Sequence, residues 1–223
     1  MKEPLSEFFY QSFHSLAGAY IHIPFCKQAC IYCDFHFSTL EKDRGAMTMA
    51  IIKEAQLRKD FLPQQALKSI YFGGGTPSVV PIADIEKIIE ALDNLYGIDA
   101  SAEITLEENP DDLNEAYLTE LSRSPVNRLS IGIQSFKEAD LSFMNRAHSA
   151  KEAIGCLESL AKYGFDNYSI DLIYGLPNQS PEDWLWQMEH LKTFDIPHFS
   201  AYALTVESKT KLAYLQAKGA VEL

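Results

Sequence analysis

Short runs of β-branched and aromatic residues alternate with longer stretches of helical periodicity along the chain. The runs Ala19–Ile23, Ser69–Phe72, Glu103–Glu107, Arg128–Ile133, Tyr168–Ile173 and Phe199–Leu204 read as strands. Amphipathic stretches lie between them. Ile82–Leu95 places Ile85, Ile88, Ile89 and Leu92 on one side, and Pro181–Leu191 follows Ser180 as cap, with its proline at the first helical position. Six β-then-α units demand a parallel sheet with right-handed crossovers, which leaves an open doubly wound sheet or a barrel, whole or partial.

The polarity of the strands narrows the choice. A parallel strand covered on both faces is usually a continuous apolar run. Here Ile21/Ile23, Ile70/Phe72, Ile104/Leu106 and Ile131/Ile133 form one face. Tyr20/His22, Ser69/Tyr71, Glu103/Thr105/Glu107 and Ser130/Gly132/Gln134 form the other. A closed eight-stranded barrel fills its lumen with branched apolar side chains, so a polar inner face predicts an α/β fold of the partial, open TIM-barrel type with about six βα units around a polar ligand. With no Gly/Ser-rich linker, one core domain is expected over residues 19–223 behind an N-terminal extension, 1–18.

Composition changes the picture in two places. The chain has 223 residues, 47% of them hydrophobic, and no apolar run approaches the roughly 20 residues of a membrane span. Met1 to Ser15 carries no apolar stretch of signal-peptide length, so a cytoplasmic location is expected. A formal net charge of -12 repels phosphate backbones and anionic lipid, so nucleic acid is not expected as a partner and any membrane contact should be peripheral, through a partner protein.

Three of the four cysteines, Cys26, Cys30 and Cys33, sit in a C-x3-C-x2-C spacing directly after the first strand, at the end of the barrel where active sites lie. Such crowding in a chain without an export signal points to metal ligation rather than a disulfide. Two centres fit. A tight triplet without a second knuckle is typical of an iron–sulfur cluster one ligand short, and a zinc site could add His22 or His36 to the three thiolates. Cys156, beside Leu157 and Leu160, reads as a small core residue.

Gly73-Gly74-Gly75-Thr76-Pro77-Ser78 follows the second strand without the ending of a P-loop or the spacing of a dinucleotide fingerprint. It is either a tight turn or a place where backbone meets a ligand without Cβ interference. Glu107, Gln134 and Asp171 all fall on the inner face and could converge on the amine, hydroxyls and ring edges of a nucleoside-like ligand. Arg146 is by default a surface arginine, and its functional reading is as partner to a carboxylate.

Five ordered segments carry a resemblance. Tyr20-Ile-His-Ile-Pro-Phe-Cys26 with Cys30-x-Tyr32-Cys33-Asp34-Phe35, Tyr71 to Ser78, Glu107-Glu-Asn-Pro110, Arg128 to Phe136 and Asp171 to Pro177 resemble the radical S-adenosylmethionine (SAM) proteins of the oxygen-independent coproporphyrinogen III dehydrogenase group, and within it the heme-chaperone branch. The resemblance implies a [4Fe–4S] cluster on Cys26, Cys30 and Cys33, with SAM on the fourth iron. It makes Tyr20, Gly74 and Glu107 similar to contacts of that cofactor. Tyr32, Gly75, Thr76, Gln134, Arg146 and Asp171 are similar to positions lining the adjoining space, where the dehydrogenase binds a second SAM.

Two departures shape the expectation. The dehydrogenase has a further cysteine where this chain has Phe35, and the chaperone branch's His-Asn-x-x-Tyr-Trp segment does not occur before Leu223. The chain therefore reads as a fragment or truncated member lacking the C-terminal domain of the family. The first expectation is a heme chaperone, with heme as cargo, a heme-acceptor protein and an electron donor as partners. The alternative is a porphyrinogen-decarboxylating enzyme, and the third reading is a zinc-stabilised barrel with a binding role.

Overall fold

A computed structural model of the chain describes residues 17–40, 42–62 and 66–222. Six parallel strands follow one another across a single sheet in chain order: β1 (Ala17–Ile23), β2 (Leu67–Gly74), β3 (Ile98–Glu108), β4 (Arg128–Gln134), β5 (Tyr168–Tyr174) and β6 (His198–Ala203). All six expected strands are present. The core begins at Ala17, two residues inside the expected extension, the rest of which lies outside the described residues. β3 starts five residues before its expected position because Leu67 already pairs with Ile98 across a bulged register, a pairing that Asp99 and Ser101 hide from a hydrophobicity pattern.

Strand order settles what periodicity left open. Right-handed crossovers between neighbours taken strictly in chain order put every helix on the same face of the sheet, whereas a doubly wound sheet must reverse direction. The helices are α1 (Arg44–Leu57), α2 (Ile82–Tyr96), α3 (Glu115–Leu121), α4 (Glu138–Met144), α5 (Ala150–Leu160), α6 (Pro181–Leu191) and α7 (Lys211–Ala217). β1 and β6 are the two edges and do not pair, so the fold is a partial, open barrel, as its polar inner face required.

The main core lies between the sheet and these helices. Ile70, Phe72, Leu106, Leu129, Ile131 and Ile133 on the strands meet Ile85, Ile88 and Ile89 of α2 and Leu157 and Leu160 of α5, all buried. Each such side chain contributes roughly 1.5–3 kcal/mol relative to exposure. Cys156 is part of this layer, as expected. Ser180 caps α6 by accepting from Asp183 N while the Asp183 carboxylate accepts from Ser180 N, with Pro181 in the first turn. A smaller core of Leu141, Met144, Ile173 and Leu176 sits beneath the cysteine loop, with Tyr32 and Leu204 packed against it. The inner face carries polar groups to its floor: Thr105, Ser130 and Ser169 are buried there, with the Arg128 guanidinium donating to Thr105 Oγ1 and Ser169 Oγ.

Candidate functional site

The inner face and the loops at the C-terminal strand ends enclose a cavity of about 870 Å³. Its mouth carries the cysteine loop. Cys26 N donates to Ser38 O at 3.0 Å and Ile31 N to Met144 O at 3.1 Å, while the Asn145 side-chain amide donates to Ala29 O at 2.7 Å. The loop is thus tied to the end of α4, where Asn145 adopts the left-handed conformation that closes the helix. Lys27 joins it to the opposite wall through ion pairs with Asp111 and Asp112.

Cys26, Cys30 and Cys33 all line the cavity as half-buried free thiols. Thr76 Oγ1 donates to Cys26 Sγ at 3.5 Å, and Arg146 Nη1 donates to Cys30 Sγ at 3.4 Å. Burial pushes the thiols of Cys26 and Cys33 up; the Thr76 and Phe35 hydrogen bonds, respectively, oppose it. Among the described residues no group of three His, Cys, Asp or Glu side chains converges on a point where one metal ion would sit. His22 is also committed elsewhere. Its Nε2–H donates to His36 O at 3.0 Å, which leaves Nδ1 to accept from Tyr20 Oη at 3.3 Å. The Cys3His zinc set built on His22 is therefore not assembled. Three thiols spread around a cavity mouth suit a polynuclear cluster, in which each sulfur takes a different iron.

The glycine run lies along the loop after β1. Gly75 N donates to Ile23 O and Thr76 N to Phe25 O. At Gly74, φ is +114°, and an added Cβ would stand 2.5 Å from the His22 ring. The run is thus first a close approach between two stretches of this chain, and Gly74, Gly75 and Thr76 still present their open side to the cavity. Glu107, at the end of β3, accepts from Tyr71 Oη at 2.7 Å and from Gly74 N at 3.1 Å. Burial raises its carboxyl above the ordinary range while these bonds pull it down. Asp171 on β5 is raised by burial in the same way, against a hydrogen bond from Ser200.

Gln134 lines the cavity, on the inner face where alternation along β4 places it, but in backbone that departs from a regular strand. The β4–β5 register shifts between Ile131 and Gln134, and Gln134 has φ +66°. The bulge leaves Gln134 on the cavity side with Ser130 and Gly132, and Ile133 O accepts from Ser135 N and His148 Nε2. Burial keeps His148 neutral, its pKa lowered to about 4.

Arg146 is not the surface arginine its loop position indicates. Nη2 donates to Asn109 Oδ1 at 2.7 Å and Gly132 O at 2.9 Å, and Nη1 to Cys30 Sγ and Tyr32 Oη. Its partners include no carboxylate. Nε is buried without a hydrogen-bond partner.

Every expected site residue except Tyr20 lines this cavity. Tyr20 is 62% exposed and stacks on Tyr71 with ring centroids 5.9 Å apart, so it bears on the site through Tyr71 and His22. Asn109, Tyr71 and Arg128 were missed as individual residues, although all three stand in the quoted segments. Their signal was the alternation that puts Tyr71 on the inner face and the position of Asn109 two residues beyond Glu107.

The family model of the Radical SAM superfamily matches residues 20–190. The chain belongs to this superfamily. This radical SAM chain is 35% identical over 209 residues to the heme chaperone HemW of Synechocystis, covering 91% of the chain and 50% of that protein. It is 35% identical over 207 residues to HemW of Lactococcus lactis, covering 92% of the chain and 54% of the relative. The mouse mitochondrial radical S-adenosyl methionine domain-containing protein 1 is 34% identical over 91% of the chain and 46% of its own length. The chain thus spans about half the length of the curated relatives it matches. Among solved structures, the coproporphyrinogen III oxidase HemN of Escherichia coli superposes with a TM-score of 0.81 at 24% identity, over 100% of this chain and 51% of HemN. That likeness shares the fold.

Membership of the radical SAM superfamily implies SAM and a [4Fe–4S] cluster as cofactors. The residues present fit both: three free thiols at one mouth, a buried Arg146 N–H without partner, and a polar cavity of ligand size.

Proposed function

We propose that the chain is the radical SAM part of a heme chaperone that binds heme and passes it to an acceptor protein. The observation that supports this best is the cysteine loop at the mouth of a polar cavity whose walls are Gly74, Glu107, Gln134 and Asp171, in a chain 35% identical to proteins named heme chaperone HemW. Cys26, Cys30 and Cys33 would hold the cluster, and Glu107 and the Gly74 backbone would hold SAM. Bound there, the pair supplies one-electron chemistry that cleaves a carbon–sulfur bond of SAM.

The protein's own contribution is placement. Glu107 has one oxygen on Tyr71 Oη and the other on Gly74 N, which fixes the carboxylate plane; a carboxylate has lone pairs left for an ammonium. Gln134 and Asp171 offer polar edges on the opposite wall. The buried Thr105, Ser130 and Ser169 close the floor, where the Arg128 guanidinium donates to the Thr105 and Ser169 hydroxyls and pairs with Glu103 at 3.8 Å. At the mouth Phe35 is 68% exposed, with Tyr202 and Leu204 also on the cavity rim, an apolar edge suited to a flat macrocycle. Phe35 also stands where the dehydrogenase group carries a cysteine, which weighs against the decarboxylating reading.

The test is anaerobic reconstitution followed by parallel assays of iron content, heme binding and coproporphyrinogen turnover. Replacing Cys26, Cys30 or Cys33 by Ser should each abolish cluster iron, while Cys156→Ser should keep it. Heme binding without turnover is the expected result. Protoporphyrinogen formed in step with SAM consumption would overturn the chaperone reading in favour of the enzyme.

A further inference from the structure

We propose that Arg146 tunes the reduction potential of the cluster, through a guanidinium that Asn109 and Gly132 lock in place against Cys30 Sγ. The inference rests on the cluster reading above. Its basis is the division of labour on one side chain. Nη2 is spent on Asn109 Oδ1 and Gly132 O, at 2.7 and 2.9 Å, and these fix the plane of the guanidinium. Gly132 allows the approach, since a Cβ there would lie 3.1 Å from Nη2. Nη1 is thereby aimed at Cys30 Sγ, 3.4 Å away, and at Tyr32 Oη.

A cluster core held by three thiolates carries net negative charge, and taking up one electron from an external reductant adds one more. A fixed cation within hydrogen-bond distance of a ligating sulfur stabilises the reduced state more than the oxidised one and so raises the potential. Arginine suits this role better than lysine, because it stays protonated when buried and its fork holds a fixed direction. Lys27, the cation inside the cysteine loop, differs on each count: its side chain is 41% exposed and its charge is taken by Asp111 and Asp112.

A bland alternative is that Arg146 is a strut between β4, the loop after β3 and the cysteine loop. A potential separates the two. Wild type, Arg146→Gln and Arg146→Lys are reconstituted anaerobically, assayed for iron and sulfide, and titrated with dithionite under spectroscopic monitoring. The expected result is that Arg146→Gln retains iron with a midpoint lowered by about 59 mV or more, a tenfold change in a one-electron equilibrium. Arg146→Lys, which keeps the charge, shifts less. An unchanged midpoint in Arg146→Gln overturns the inference, as does loss of iron from both variants, which would leave a strut. A wild-type chain that takes up no cluster shows itself before any variant is made and brings down the cluster reading together with the inference.

Discussion

Glu107 and Glu108 are adjacent glutamates with opposite surroundings. Glu107 faces the cavity with two hydrogen-bond donors already on it. Replacing it by Gln removes the charge while keeping the shape, and the loss of a hydrogen bond to a charged group is worth about 1.5–3 kcal/mol. SAM affinity measured by calorimetry on the reconstituted chain should therefore fall at least about tenfold, with the far-UV spectrum unchanged. Glu108 points to the helix side and is 3% exposed. Burial holds its carboxyl well above the ordinary range, opposed by the hydrogen bond from Tyr117 Oη at 3.1 Å. A raised folded-state pKa means that the folded protein binds this proton more tightly than the unfolded chain. The stability it contributes is fully present below the ordinary carboxylate range and is lost as pH rises toward the folded value. Denaturant titrations between pH 4 and 8 should show wild type losing stability with rising pH relative to Glu108→Gln, which has no proton to lose.

At the scale of elements, the cysteine loop is held from two sides. One anchor is the end of α4, through Asn145 and Met144. The other is Lys27, whose partner Asp112 is nearly buried and also accepts from Ser78 Oγ at 2.5 Å, so that the loop after β1, the turn after β2 and the loop after β3 meet in one network. Lys27→Met would leave Asp112 with less compensation for its burial. Solvent screens a half-exposed lysine, so the cost should be about 1 kcal/mol, roughly a factor of five in an opening equilibrium. Iron release to a chelator should quicken by about that factor while the thermal midpoint moves little; an unchanged release rate would mean that the α4 anchor suffices.

At the scale of the molecule, the open sheet leaves its two edges in different states. β6 pairs with β5 alone, and of its residues only Ser200 is less than exposed, whereas β2 to β5 are each paired on both sides. Native-state hydrogen exchange should find the β6 amides exchanging early and those of β3 and β4 last, because local opening follows apolar contact density. No helix among the described residues is long and apolar enough to cross a membrane. The amino-acid sequence determined a good deal of this architecture. Period-2 alternation named the strands and their inner faces, period 3.6 and the Ser180–Pro181 start named helices, and three cysteines in one loop marked the mouth of the cavity. All of these are relations between residues a few positions apart. Tertiary structure decided the rest: the strictly sequential order of the strands, the register shift in which Gln134 sits, and the contact of Arg146 with a thiol 116 residues away. The physical reason is that these depend on which loops the sheet brings to the same strand ends, and no local spacing encodes that.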